Sequence, residues 1–169
     1  DSHRGFPVLA TTPGYFEHFR YGDRQPLQLA QGRPFSGDLP GLYEVVLGAQ
    51  VAQQLGYRLG DQLTLSHGGG EMPGAEHADK PFHVVGILQR TGTPVDRTLH
   101  ISLQSMEAIH LDWTAGVPLT GARVSAEQAR AADLRPQQVT AALVGLKNRA
   151  AVFAVQRAVA EFEAEPLLA

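Results

Sequence analysis

Apolar positions along the chain recur with two periods, and the switches between them predict short elements joined by turns. Residues 6–10 read as a short strand, and Thr12 and Pro13 then suit the cap and first turn of a short helix reaching Phe19, with Tyr15, Phe16 and Phe19 as its core side. The many Gly, Pro and Asp residues from 20 to 42 predict irregular backbone. Residues 43–47 read as strand, Gly48 as turn, and Ala49–Leu55 as a two-turn helix with Val51 and Leu55 one turn apart. Gly56 suits the left-handed position that ends such a helix. Gly60 and Asp61 turn the chain into 62–66, where Leu63 and Leu65 alternate with Gln62 and Thr64 as in a half-buried strand.

A polar, Gly-rich loop follows over 67–81, then a β-rich run over 82–88, a turn around Thr93-Pro94 and a strand over 98–101. Ser102 can cap the next helix, whose Leu103, Met106 and Ile109 are spaced for one buried face. Residues 112–136 are broken by Pro118, Gly121 and Pro136, with a helical turn expected near Glu127. Residues 139–146 read as a buried strand, and Asn148 caps a helix in which Val152, Val155, Val159 and Phe162 recur at spacings of three and four. That helix is expected to pack on a sheet. The pattern predicts an α+β fold of mixed strands and short helices, without internal repeat or heptad.

Composition narrows the function classes. A chain of 169 residues with 43% hydrophobic and 18% charged residues fits one globular domain, 1–169. Net charge is −3 and the 14 Lys and Arg are scattered, so there is no basic stripe to follow a phosphate backbone, and nucleic acid is not expected as a partner. The absence of cysteine excludes disulfides, thiolate metal sites and a cysteine nucleophile. The longest uninterrupted apolar run, 150–155, falls far short of the roughly 20 residues that span a bilayer. The chain opens on Asp1-Ser2-His3-Arg4-Gly5 with neither initiator Met nor signal peptide, which reads as a piece of a longer protein.

Candidate chemistry concentrates in one loop. His67, Glu71, Glu76, His77, Asp79 and His83 combine imidazole and carboxylate, a donor set that suits zinc or another borderline divalent ion. Their spacing matches no rigid helical site, and Gly68, Gly69 and Gly70 loosen the loop, so the plain alternative is a polar connection between two strands. The same glycines make no phosphate cradle, because Glu71 and Pro73 follow where Lys-Ser/Thr would be needed. No serine sits in a Gly-x-Ser-x-Gly elbow. Asp96-Arg97, His100 and His110 have no catalytic partner in the sequence, and the carboxylates of Asp23, Asp38, Glu44 and Asp61 lie in separate turns, so no enzyme site is expected.

Four ordered stretches carry a resemblance. They are Thr11-Thr12-Pro13-Gly14-Tyr15-Phe16; Gln31-Gly32-Arg33-Pro34-Phe35; Val45-Val46-Leu47-Gly48-Ala49-Gln50-Val51-Ala52-Gln53-Gln54-Leu55-Gly56 with Leu59-Gly60-Asp61-Gln62-Leu63-Thr64-Leu65; and Phe82-His83-Val84-Val85-Gly86-Ile87-Leu88 with Gly92-Thr93-Pro94-Val95-Asp96-Arg97. Together they resemble the extracytoplasmic (periplasmic) core domain of FtsX/MacB-type ABC-transporter permeases. The resemblance implies two lobes, 1–12 with 139–169 built from the terminal segments, and an inserted 13–138. It also implies a non-catalytic domain of a bacterial inner-membrane protein that passes ATP-driven motion to an extracytoplasmic partner or cargo. The implied partners are the transmembrane helices of the same permease, a cytoplasmic ATP-binding subunit, a second permease in a dimer and a periplasmic protein. A metal-binding or metal-sensing module using the 67–83 loop is the alternative, with zinc its candidate ion.

Overall fold

The computed structural model describes residues 1–67, 77–114, 117–118, 124–164 and 167–168. It is an α+β fold whose described residues divide into a compact unit, Asp1–Gln137, and a second unit, Gln138–Ala169. Glu71 and Glu76 of the predicted loop, and Gly68 to Gly70, lie outside the described residues.

In chain order the first unit carries β1 (Ser2–His3), β2 (Phe6–Thr11), α1 (Gly14–His18), β3 (Arg20–Tyr21), β4 (Gln25–Pro26), β5 (Leu29–Gly32), β6 (Glu44–Leu47) and α2 (Ala49–Leu55). It continues with β7 (Gln62–Leu63), β8 (Phe82–Leu88), β9 (Leu99–Ser102), α3 (Leu103–His110), β10 (Trp113–Thr114), β11 (Val117–Pro118) and α4 (Ala126–Arg130). The main sheet is mixed, in the order β1-β2-β9-β6-β8-β5, with β7 also paired to β8. β6 runs parallel to β8 and antiparallel to β9, while β2 runs parallel to β9.

Period-two alternation assigns the strand side chains to two cores. Val45, Leu47, Leu99 and Ile101 face α2, α3 and α4 and join Val51, Ala52, Ala108, Ile109 and Ala129. Val46 and Leu88 point the other way and pack with Tyr15, Phe16, Leu27, Phe35 and Val95. Both faces are therefore covered, which is why β6 reads as a continuous apolar run. The β6–β8 register slips between Val45 and Val46, leaving Val85 without an opposite residue. This bulge resets the alternation in β8: Phe82 and Val84 face the first core before it and Ile87 after it.

Gly48 makes the tightest join. An added Cβ would sit 2.2 Å from the Val95 carbonyl oxygen and 2.5 Å from that of Asp96, so only glycine lets the start of α2 lie on the short 3-10 turn Pro94–Arg97. Gly56 ends α2 at φ 73°, as its position after Leu55 predicts. Ser102 accepts a hydrogen bond from the Ser105 N–H and caps α3 as expected. The buried side of α3 is Ser105, Ala108 and Ile109, with Leu103 only partly covered. α1 starts after Pro13 with no side-chain cap bond, so Thr12 does not cap it. Short strands β3, β4 and β5 lie in the segment expected to be irregular.

The second unit departs from the sequence reading. Residues 139–146 form no strand and are exposed, with Leu143 at 73% and Val144 at 68% of full accessibility. The helix that follows, α5 (Ala151–Ala160), receives the expected hydrogen bond from Asn148, whose Oδ1 accepts from the Ala151 N–H at 2.9 Å. None of its residues is fully buried, and Val155 and Val159 of its apolar face are partly covered. Among the described residues no helix is long and apolar enough to cross a membrane.

Candidate functional site

The backbone brings three distant segments to one point. Ser2 and Ser66 exchange two N–H···O bonds of 2.9 Å, which sets Asp1 beside His67. The His77 N–H donates to the Leu65 carbonyl at 2.9 Å, so the far end of the loop returns to the same strand edge. α3 delivers His110 as its last residue, and β10 begins at Trp113. One donor atom from each of Asp1, His67, His77 and His110 lies within 4.8 Å of the donor atoms of the other three.

Nδ1 of His67 lies 3.0 Å from Asp1 Oδ1, and its Nε2 is buried without a hydrogen-bond partner among the described residues. Nδ1 of His110 donates to the Met106 carbonyl at 2.8 Å, so its Nε2 carries a lone pair 3.4 Å from Asp1 Oδ2. His77 is 1% exposed, and neither ring nitrogen has a hydrogen-bond partner among the described residues. The Trp113 ring closes one side, its centroid 4.1 Å from that of His67 and 4.8 Å from that of His77.

Burial lowers the pKa of all three imidazoles, and the neighbouring rings add to the effect at His67 and His77, taking His77 to about 4. At neutral pH each ring is an uncharged base. Next to the cluster the Lys80 ammonium, fully buried, is held by Asp112 at 2.8 and 3.1 Å, and Asp112 also accepts from the Val124 N–H. Burial alone would raise the Asp112 carboxyl; the Lys80 hydrogen bond and the Val124 N–H outweigh it and hold the carboxyl low.

Of the six loop residues singled out in the sequence, His67 and His77 meet in this cluster. His83 sits on β8 with its side chain exposed, its Nδ1 3.5 Å from Gln62 Nε2. Asp79 lies at the surface with a carboxylate oxygen 3.5 Å from Lys80 Nζ. Glu71 and Glu76 are outside the described residues. No sequence signal joins Asp1 and His110 to His67, because the Ser2–Ser66 pairing and the α3 placement that unite them are tertiary.

The stretches that carry the family resemblance build the frame. Arg33 clamps Glu44 through both guanidinium nitrogens, one at 2.9 Å, and the Ser36 N–H donates to the same carboxylate at 2.9 Å. Asp96, 1% exposed, accepts from the Thr91 N–H, the Thr91 hydroxyl and the Gly92 N–H, which fixes the turn against which Gly48 lies. No curated protein matches the chain. The family model described as MacB-like periplasmic core domain matches residues 2–162, nearly all of the frame just described, and the chain belongs to that family, an extracytoplasmic domain of ABC-transporter permeases.

Proposed function

We propose that this domain transmits ATP-driven conformational change from the membrane helices of its permease to an extracytoplasmic partner or cargo. The family match over residues 2–162 carries the reading. A sheet covered on both faces supports it, because a packed body of this kind moves as a unit and passes on displacement instead of absorbing it. The drive would come from a cytoplasmic ATP-binding subunit, and two permeases would work as a dimer whose outer domains exchange between two packed arrangements as the ATPases close. The domain itself would do no chemistry. A periplasmic protein would read the change.

The test uses the full permease with its ATPase in lipid. Spin-label pairs placed on the two copies of this domain are expected to change separation between the nucleotide-free and ATP-trapped states. Identical distance distributions in both states, with ATP turnover intact, would show a passive domain and overturn the reading.

A second reading, that the domain binds or senses a metal through the 67–83 loop, is favoured by one observation: two histidines of that loop, His67 and His77, lie among the four clustered donors.

A further inference from the structure

We propose that Asp1, His67, His77 and His110 form a closed four-ligand site for a borderline divalent transition-metal ion, zinc in the first instance. The inference rests on the metal-binding reading but changes its ligand set: of the six loop residues it keeps His67 and His77, and it adds Asp1 and His110 from outside the loop.

Three observations carry it. The donors converge: their largest separation is 4.8 Å. A tetrahedral zinc site with bonds of about 2.0–2.1 Å has edges near 3.3 Å, so side-chain rotation of roughly 1.5 Å completes the set. Buried nitrogens are left unpaired: His67 Nε2 and both ring nitrogens of His77 have no hydrogen-bond partner among the described residues, and an ion bound at the lone-pair nitrogen of His77 would relieve part of that penalty. The outward nitrogen of His110 is already oriented by the Met106 carbonyl at 2.8 Å, the second-sphere contact by which a backbone oxygen fixes a metal-binding tautomer.

One contact gains a reason from the ion. In the neutral ring His110 Nε2 turns a lone pair toward Asp1 Oδ2 at 3.4 Å, electrons facing electrons. A cation between them converts that repulsion into two bonds.

The ligand chemistry selects the class. Three imidazoles and one carboxylate suit zinc-like ions; calcium and magnesium take six or more oxygens, and the chain has no cysteine to favour soft monovalent copper. Four protein donors under the Trp113 ring leave no open coordination position, which marks the site as structural and not catalytic. The ion would pin the chain segment before β1, both ends of the β7–β8 connection and the end of α3 to one another.

The 169-residue chain, stripped with chelator, tests the site directly. Zinc affinity is measured by competition with a chromophoric chelator, cobalt serves as a spectroscopic probe, and unfolding midpoints are read with and without zinc. Expected are one equivalent of tightly bound zinc, a zinc-dependent rise in midpoint and the intense visible bands of four-coordinate cobalt. His110→Gln and His77→Phe are each expected to weaken zinc by more than the roughly 10–100-fold typical of second-sphere changes, with His83→Ala unchanged. Two variants guard against one failing to fold, which far-UV circular dichroism would reveal. Failure of the folded wild-type chain to bind zinc would remove both this site and the metal reading. Zinc binding abolished by His83→Ala but kept in His110→Gln would leave the loop reading standing and overturn the site proposed here.

Discussion

His100 shows what one buried side chain contributes to the behaviour of this fold. It is fully buried on β9, its ring stacks on Tyr15 with centroids 5.5 Å apart, and Nδ1 reaches only the Val46 carbonyl at 3.3 Å. Burial lowers its pKa from 6.5 to about 4. A group protonated more readily in the unfolded chain makes stability rise with pH: its contribution is complete above about 6.5, falls by about 1.4 kcal/mol per pH unit below that, and levels off near 4. Burial also lowers the pKa of the three clustered histidines, so the informative quantity is a difference. With chelator present, the stability gap between wild type and His100→Phe should shift by about 3 kcal/mol against the wild type between pH 7 and pH 4. Parallel pH profiles would show that His100 is not held neutral. Lys80 and Asp112 illustrate the opposite solution to burial: each is the other's partner, through contacts from Lys80 Nζ to both carboxylate oxygens, and the Val124 N–H donates to the same carboxylate. Neither arrangement follows from sequence, where each His or Lys is only a polar letter in a run.

Among the elements, the β6–α2 corner depends most on one position. The Gly48 N–H donates to the Thr98 carbonyl at 2.9 Å, and the turn behind it is braced by Asp96. Gly48 has φ −65°, which any residue adopts, so the demand for glycine is purely steric. Gly48→Ala should cost about 1–3 kcal/mol or more, through overpacking against two backbone oxygens that cannot swing aside, as measured by denaturant unfolding. Gly56→Ala meets no atom within 4 Å but must adopt φ 73°, so its cost is conformational and about 1 kcal/mol. Equal losses at the two sites would refute the steric account. These elements were legible because their signals are local: the apolar run of β6, the i, i+4 pair of α2 and the closing glycine sit side by side in the chain. The bulge at Val85 was not, since a register shift arises from the partner strand. Nor was the true buried face of α3, which runs through Ser105 and Ala108 because the close approach to Tyr43, whose N–H donates to Ser105 Oγ at 3.0 Å, favours small side chains.

At the scale of the molecule, the described members of both hydrophobic cores run from Phe6 to Leu134. In the unit Gln138–Ala169 no residue of helix α5 is fully buried, Val155 and Val159 are partly covered, and Phe153 stands at 77% exposure. The sequence reading failed here for a physical reason. Apolar spacing identifies a face that gains by leaving water, but not how far it is covered: residues 139–146 are exposed, and the apolar face of α5 is only partly covered. The sheet and its two cores should therefore hold together without the second unit. A chain ending at Gln137 is expected to keep the far-UV spectrum of the first unit, a cooperative transition and a thermal midpoint within about 4 °C of the full chain, the shift that roughly 1 kcal/mol produces in a domain of this size. The same truncation should leave zinc affinity unchanged, because Asp1, His67, His77 and His110 all belong to the first unit. A midpoint lowered by 10 °C or more, or loss of cooperativity, would mean that the terminal segment completes the core, and the two-unit division of the chain would have to be abandoned.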